Sequence, residues 1–212
     1  MIMVSANADF PQRLSWRTTA RRTAALINVL TDAPNPAAVR RLLREHGEDD
    51  DLVVTDDDVR AMARAAGRMR PIFAADDLDQ ATVVLNRLLS GTHRLRLTSH
   101  DGRTAWHPHL DSDDDAALGE WFLASSCFTL AVLIWDRQQL PGGICAADGC
   151  DHVYLQIGSG HEQRYCSRRC ATRERVAAHR ARTVPLRAGT TRAGTARADA
   201  ASRARRDRRG MR

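Results

Sequence analysis

Four cysteines near the C-terminal end constrain the fold of this chain more than any other feature. They are Cys145, Cys150, Cys166 and Cys170, spaced as Cys-x4-Cys, fifteen residues, then Cys-x3-Cys. Each close pair can form a chelating loop, and the spacer lets the chain return to complete a tetrahedron around Zn²⁺. We predict one structural zinc ion, because four thiolate ligands leave no coordination position for a substrate or water.

Other uses of these cysteines are less consistent with the sequence. Two disulfides would need an oxidising compartment, and the N-terminal residues contain no long apolar secretory segment. His152 and His161 lie inside the module and could replace a cysteine ligand, but four well-spaced cysteines favour histidines that face solvent. The fifth cysteine, Cys127, lies in an apolar run and is predicted to be a buried core thiol.

The charge is distributed unevenly along the chain. Residues 1–140 hold 16 arginines against 20 acidic residues, a net charge of −4, whereas residues 141–212 hold 16 arginines against 6 acidic residues, a net charge of +10. An acidic body with a basic arm is typical of a nucleic-acid-binding protein. Every basic residue is arginine, which suits phosphate and guanine, although a GC-rich genome would also explain the absence of lysine.

Apolar periodicity predicts a mostly helical region before the cysteines, with one small β-hairpin, and so an α+β fold. Thr55 and Asp58 form a capping-box pattern, and Asp113–Asp115 precede the longest apolar run. Helices are predicted over residues 17–31, 36–47, 55–73 and 77–90, and a long helix is predicted from the end of Asp113–Asp115 through Leu140. The apolar run 121–135 is too short for a membrane span and indicates a buried core helix. We therefore expect a cytoplasmic protein without a membrane segment.

The alternation of residues 94–98 predicts a strand, Asp101-Gly102 a turn, and residues 104–107 a returning strand. Histidines cluster here at positions 93, 100, 107 and 109, and His107 and His109 would share one strand face. A second metal site is one interpretation. Exposed hairpin-end histidines are the other, favoured because the spacing places no carboxylate partner beside them.

No nucleophile pattern or phosphate-binding glycine loop indicates catalysis, and we expect no enzyme activity. The aromatic residues Trp106, Trp121, Phe122 and Trp135 have two interpretations, an effector pocket or ordinary core packing. A small-molecule effector would act on the N-terminal region, the larger predicted domain.

The cysteine module is predicted to form a zinc knuckle, a hairpin and a helix in a treble-clef arrangement. Val153–Ile157 would form one strand, residues 163–165 the other, and Pro141-Gly142-Gly143 a hinge. Cys170 would lie in the first turn of a helix over residues 167–182, with Ser167 as its N-cap. When this helix is unrolled, Cys170 and two alanines share a face and the basic residues project elsewhere. The predicted DNA-contacting residues are Arg168, Arg169, Arg173, Arg175, Arg180 and Arg182.

The module resembles the CGNR zinc-finger proteins of bacteria. The matching residues are the Cys145–Cys150 knuckle, Tyr165-Cys166-Ser167, and Cys170-Ala171-Thr172-Arg173, in which Ala and Thr replace the signature Gly and Asn. The last cysteine spacing is three residues rather than the usual four. The resemblance implies a zinc-binding, DNA-binding regulator.

Upstream segments resemble the ABATE domain, which usually precedes this finger and is associated with stress-induced transcription regulation. The resemblance rests on residues 26–30, residues 85–89, the hairpin and the long helix. The predicted organisation is a flexible N-terminus (1–16), an ABATE-like helical domain (17–140), the finger (141–182) and a disordered basic tail (183–212). The alternative function is a zinc-stabilised protein-interaction module that docks an acidic partner through its arginine helix.

Overall fold

The computed structural model describes residues 15–48, 51–102, 104–158 and 163–183. The predicted disorder of the basic tail beyond residue 183 and the predicted flexibility of residues 1–14 lie outside these ranges. His161 lies outside them as well. Within them the fold is mostly helical with two small antiparallel sheets, which confirms the predicted fold class.

Helix starts follow the capping chemistry of the sequence. Ser15, Asn35 and Asp77 each accept a hydrogen bond from a backbone N–H in the first turn, and Thr55 forms the predicted reciprocal capping box with Asp58. The helices are α1 (Trp16–Asp32), α2 (Pro36–Glu45), α3 (Asp56–Phe73), α4 (Leu78–Leu89), α5 (Leu118–Arg137) and α6 (Arg168–Thr183). Five of them therefore lie close to the segments that apolar periodicity predicts, and α6 close to the predicted finger helix.

Helix α5 is the central helix of the core. It packs against α1, α3 and α4, and buries Phe122, Cys127 and Leu130 completely. Among the described helices it is the one long and apolar enough to cross a membrane, but half of its most apolar window is buried inside the protein. Burial of this kind is what a core helix requires.

The start and end of α5 differ from the prediction. The helix ends at Arg137 because Gln138 adopts a left-handed conformation, and it begins at Leu118 without a side-chain cap. Asp113–Asp115 are therefore not in its first turn. Asp114 instead pairs with Arg96 and accepts a hydrogen bond from Thr98, so it belongs to the neighbouring hairpin.

The first hairpin consists of β1 (Arg96–Thr98) and β2 (His107–His109). Asp101 and Gly102 both have positive φ, as the predicted turn requires. The returning strand, however, starts at His107, where the sequence predicts it to end. Thr98 pairs with His107 in the register, so the loop is longer than a two-residue turn.

The second hairpin pairs β3 (Gly142–Ile144) with β4 (Val153–Leu155). The prediction that residues 163–165 pair with β4 is wrong, because β4 pairs with Gly142–Ile144, a segment that includes two residues of the predicted hinge. A Cβ on Gly142 would lie 1.8 Å from the carbonyl oxygen of Tyr154. These glycines therefore allow the two strands to approach closely.

The chain divides after Arg175 into two compact units. In the first unit, β4 packs against α1 and contributes Val153, which is 1% exposed, to the helical core. Ile144 and Leu155 pack against the same core. In the second unit, the described residues of α6 from Val176 to Arg182 are all exposed.

Candidate metal centre

The four predicted ligands converge on one point. The Sγ atoms of Cys150, Cys166 and Cys170 lie 3.7, 3.7 and 3.8 Å from one another, and Cys145 completes the group. Zn–S bonds of about 2.3 Å place tetrahedral sulfur ligands about 3.8 Å apart. The spacing therefore fits Zn²⁺, whereas a disulfide bond, at about 2 Å, is not present among these cysteines.

The surroundings shift the pKa of two of the cluster cysteines in opposite directions. Burial raises the pKa of Cys166 to about 12, because a thiolate among three other cysteine sulfurs has little access to water. The Ser167 hydroxyl lowers the pKa of Cys170 to about 7. Four thiolates at this spacing require a positive ion between them, and bound zinc would supply that charge and hold the segments together.

Backbone hydrogen bonds position each pair of cysteines. Cys145 donates its N–H to the carbonyl of His152 at 2.8 Å, and Cys150 donates to Ala147 at 3.1 Å, which closes the knuckle loop. Gly149 has φ +64° within this loop. On the other side, the Ser167 hydroxyl accepts from the Cys170 N–H at 3.3 Å, which confirms the predicted capping role.

His152 lies beside the cluster and does not simply face solvent as predicted. Its Nδ1 is 3.7 Å from Cys166 Sγ, and its Nε2 is 2.7 Å from a carboxylate oxygen of Asp32 on α1. Groups that hydrogen-bond to a metal ligand form its outer shell and help to orient it. His152 therefore connects the cysteine cluster to the end of α1.

These positions agree with the comparison against family models. Residues 143–183 match the CGNR zinc finger. No curated protein matches the chain. The cysteine geometry and this match together support one structural zinc ion in the CGNR finger, held by Cys145, Cys150, Cys166 and Cys170.

The predicted DNA-contacting arginines differ in their surroundings. Arg168, Arg169 and Arg175 are exposed in the first unit. Arg173 donates a hydrogen bond to the carbonyl of Asp148 at 2.6 Å, so it also braces the knuckle of the CGNR finger. In the second unit, Arg180 and Arg182 are exposed, and so are Ala177 and Ala181, the two alanines predicted to share a helix face with Cys170.

The aromatic residues do not form the pocket considered above. Trp106 and Trp135 are 73% and 76% exposed, and Phe122 is fully buried in the core. Trp121 packs under the guanidinium of Arg22 at 4.5 Å. Cys127 is a buried core thiol, as predicted, and burial raises its pKa to about 12.

The histidines of the first hairpin are not separate, exposed hairpin-end residues, which was the favoured interpretation of the sequence. His100, His107 and His109 come together, while His93 lies 3.5 Å from Glu120. The carboxylate partners that the spacing did not place are Asp111, two residues after His109, and Asp114. The alternating pattern His107-Pro-His109-Leu-Asp111 is the sequence signal that could have revealed them.

Proposed function

We propose that this chain is a DNA-binding transcription regulator in which the zinc centre is structural and the arginines of α6 contact the phosphate backbone. The N-terminal helical region, with its ABATE-like segments, would be the sensor. We further propose that the protein works in the cytoplasm and by binding, not as an enzyme.

The observation that carries this proposal is the concentration of exposed positive charge beside the cysteine cluster. Arg168, Arg169 and Arg175 are exposed on the helix that supplies Cys170. Glu174 is the acidic residue of this helix, and its carboxylate accepts a hydrogen bond from the Asp148 N–H. Its carboxylate also lies 3.8 Å from Arg173 Nε, so it faces the knuckle and Arg173 and offers little compensation to Arg168, Arg169 and Arg175.

An anionic partner would relieve the repulsion between these side chains. The first turn of α6 adds the positive end of the helix dipole to Arg168 and Arg169. Arginine forms bidentate hydrogen bonds with phosphate oxygens. This surface therefore suits duplex DNA, with affinity that depends strongly on salt and weakly on sequence.

The test is fluorescence anisotropy of the zinc-loaded full chain with a random duplex, titrated against salt. Changing Arg168, Arg169 and Arg175 together to Gln should reduce affinity for all duplexes alike. It should also reduce the slope of log K against log salt by about 1 for each lost phosphate contact. Truncation after residue 183 should leave this difference in place.

A matched control removes the same charge elsewhere. Arg40, Arg64 and Arg87 are exposed on α2, α3 and α4, and their triple Gln variant should bind like the unmodified protein. Equal losses in both triple variants would show that only net charge matters. Unchanged binding in the α6 variant, with one zinc retained, would contradict the proposed surface.

A protein partner is the second candidate. Exposed Leu95, Leu97 and Trp106 near the first hairpin, each more than 60% exposed, favour protein contacts over DNA contacts. In this case the arginines of α6 would dock an acidic protein. Binding to an acidic polypeptide such as polyglutamate, without binding to duplex DNA, would support this alternative.

A further inference from the structure

Three imidazole rings meet at the first hairpin. His107 Nε2 lies 3.2 Å from His100 Nε2 and 3.0 Å from His109 Nε2. The three ring centroids are 4.9–5.2 Å apart. The three rings therefore turn their Nε2 atoms toward one another. Ring stacking alone would not bring these nitrogens together.

The opposite nitrogens each lie beside a hydrogen-bond acceptor, and His109 Nδ1 also lies 3.3 Å from Arg96 Nη2, a donor. His107 Nδ1 is 2.7 Å from the carbonyl oxygen of Ala105, and His109 Nδ1 is 2.8 and 2.9 Å from the two carboxylate oxygens of Asp111. His100 Nδ1 is 3.3 Å from a carboxylate oxygen of Asp114. In the tautomer in which each Nδ1 donates its proton to these oxygens, the three Nε2 atoms carry lone pairs that can coordinate an ion.

Nε2 atoms 3.0–3.2 Å apart that both carry lone pairs repel each other unless a proton or a metal ion lies between them. Zn–N bonds of about 2.0–2.1 Å place ligand nitrogens about 2.9–3.4 Å apart, from octahedral to tetrahedral geometry. Both measured separations fall within that range. The alternative source of positive charge is a proton shared between two rings.

The surrounding charges favour a cation. Asp111 is 2% exposed and Asp114 is partly exposed, and both lie behind the ring nitrogens. Arg96 pairs with both carboxylates, so the group keeps one excess negative charge. Carboxylates and carbonyls that orient the ligand histidines are the usual outer shell of protein metal sites.

The backbone conformation of the first hairpin brings the three histidines together. Antiparallel pairing places Thr98 opposite His107, and the side chains of His107 and His109 fall on one face of β2. His100 has φ +46°, in the left-handed region, two residues after β1. This conformation returns its ring over the strand and supplies the third nitrogen.

We propose that His100, His107 and His109 form a second metal site, which binds one divalent first-row transition-metal ion, with Zn²⁺ as the first choice. Imidazole ligands suit Zn²⁺, Co²⁺, Ni²⁺ and Cu²⁺ rather than Mg²⁺ or Ca²⁺. Three protein ligands leave at least one coordination position for water or a small ligand. The site is independent of the cysteine cluster and of the proposed DNA contacts.

The test is the metal content of the full chain after equilibration with Zn²⁺ and removal of unbound ion by desalting. The unmodified protein should carry two zinc ions, and His107→Ala should carry one. His93→Ala removes a histidine from the same region outside the cluster and should keep two. One zinc in the unmodified protein would overturn the proposal and leave a proton-sharing histidine cluster, and two in His107→Ala would overturn it as well.

A spectroscopic titration avoids reliance on a variant that fails to fold. Co²⁺ added to the metal-free full chain should give thiolate charge-transfer absorption that saturates at one equivalent, followed by a second equivalent that adds only weaker ligand-field bands. A titration that ends after one equivalent would contradict the three-histidine site.

Discussion

At the residue scale, replacing glycine with alanine is expected to have opposite effects on stability at two positions of this chain. Gly142 lies in β3 against the backbone of Tyr154, whereas Gly67 is exposed inside α3 with no atom within 4 Å of an added Cβ. The first position needs close backbone approach. The second carries only the entropic cost of glycine in a helix.

We expect Gly142→Ala to lower the free energy of unfolding by about 3 kcal/mol or more, because its methyl group would force β3 away from β4. Gly67→Ala should raise it by about 0.5–1 kcal/mol. Urea unfolding of the two variants measures both. A neutral result for Gly142→Ala would show that β3 and β4 are not paired as described.

His152 links the cysteine cluster to the helical core through contacts on both sides of its ring. It contacts Cys166 on one side and Asp32 on the other. Its role could not be read from the sequence, because Asp32 is 120 residues away and belongs to a different predicted domain. Only the packing of the second hairpin on α1 brings the two together.

At the element scale, one side chain on α1 forms two hydrogen bonds with β4. Asn28 accepts a hydrogen bond from the Val153 N–H at 2.7 Å and donates one to the Val153 carbonyl at 3.0 Å. The amide thereby mimics a neighbouring strand for a backbone segment that has little access to water. This contact holds the hairpin that carries Cys145 against the helices.

Asn28→Ala should lower the free energy of unfolding by about 1–3 kcal/mol, because both backbone groups of Val153 lose their partner. Zinc should also be lost faster to a chelator, since β4 then moves more freely beside the knuckle. Asn86→Ala, at an exposed position on α4, is the matched control and should change stability by less than about 0.5 kcal/mol. If Asn28→Ala and Asn86→Ala released zinc at equal rates, the attachment of β4 to α1 would have no effect on zinc retention.

At the scale of the whole molecule, the predicted boundary between residues 140 and 141 remains a prediction. The contacts favour coupling across it. Val153 is buried in the helical core, Arg70 on α3 donates to the Asp151 carbonyl, and Arg137 on α5 donates to the carbonyl oxygens of Ile157 and Gly158. Metal loss should therefore affect more than the cysteine module.

We expect Cys166→Ser to lose zinc and to speed amide hydrogen exchange in the second hairpin and in the parts of α1 and α3 that contact it. Helices α2 and α4 should change less. Cys127→Ala is the control, because it removes a cysteine that is buried in the core outside the cluster. This variant should keep its zinc. Exchange that changes only in residues 144–182 would support the independent finger of the sequence-based prediction.

The sequence by itself determined the approximate positions of the helices, the capping box at Thr55 and the zinc ligands, because these depend on periodicity and short spacing that a linear chain displays directly. The capping box at Thr55 and the chelating pairs of cysteines each lie within a few residues. The tertiary structure alone decided the partner of β4, the burial of Arg22 beside Glu48, and the meeting of three histidines with Asp111 and Asp114. These depend on contacts between distant segments, or on the register of a short hairpin, where shifting a strand by one residue turns each side chain to the opposite face.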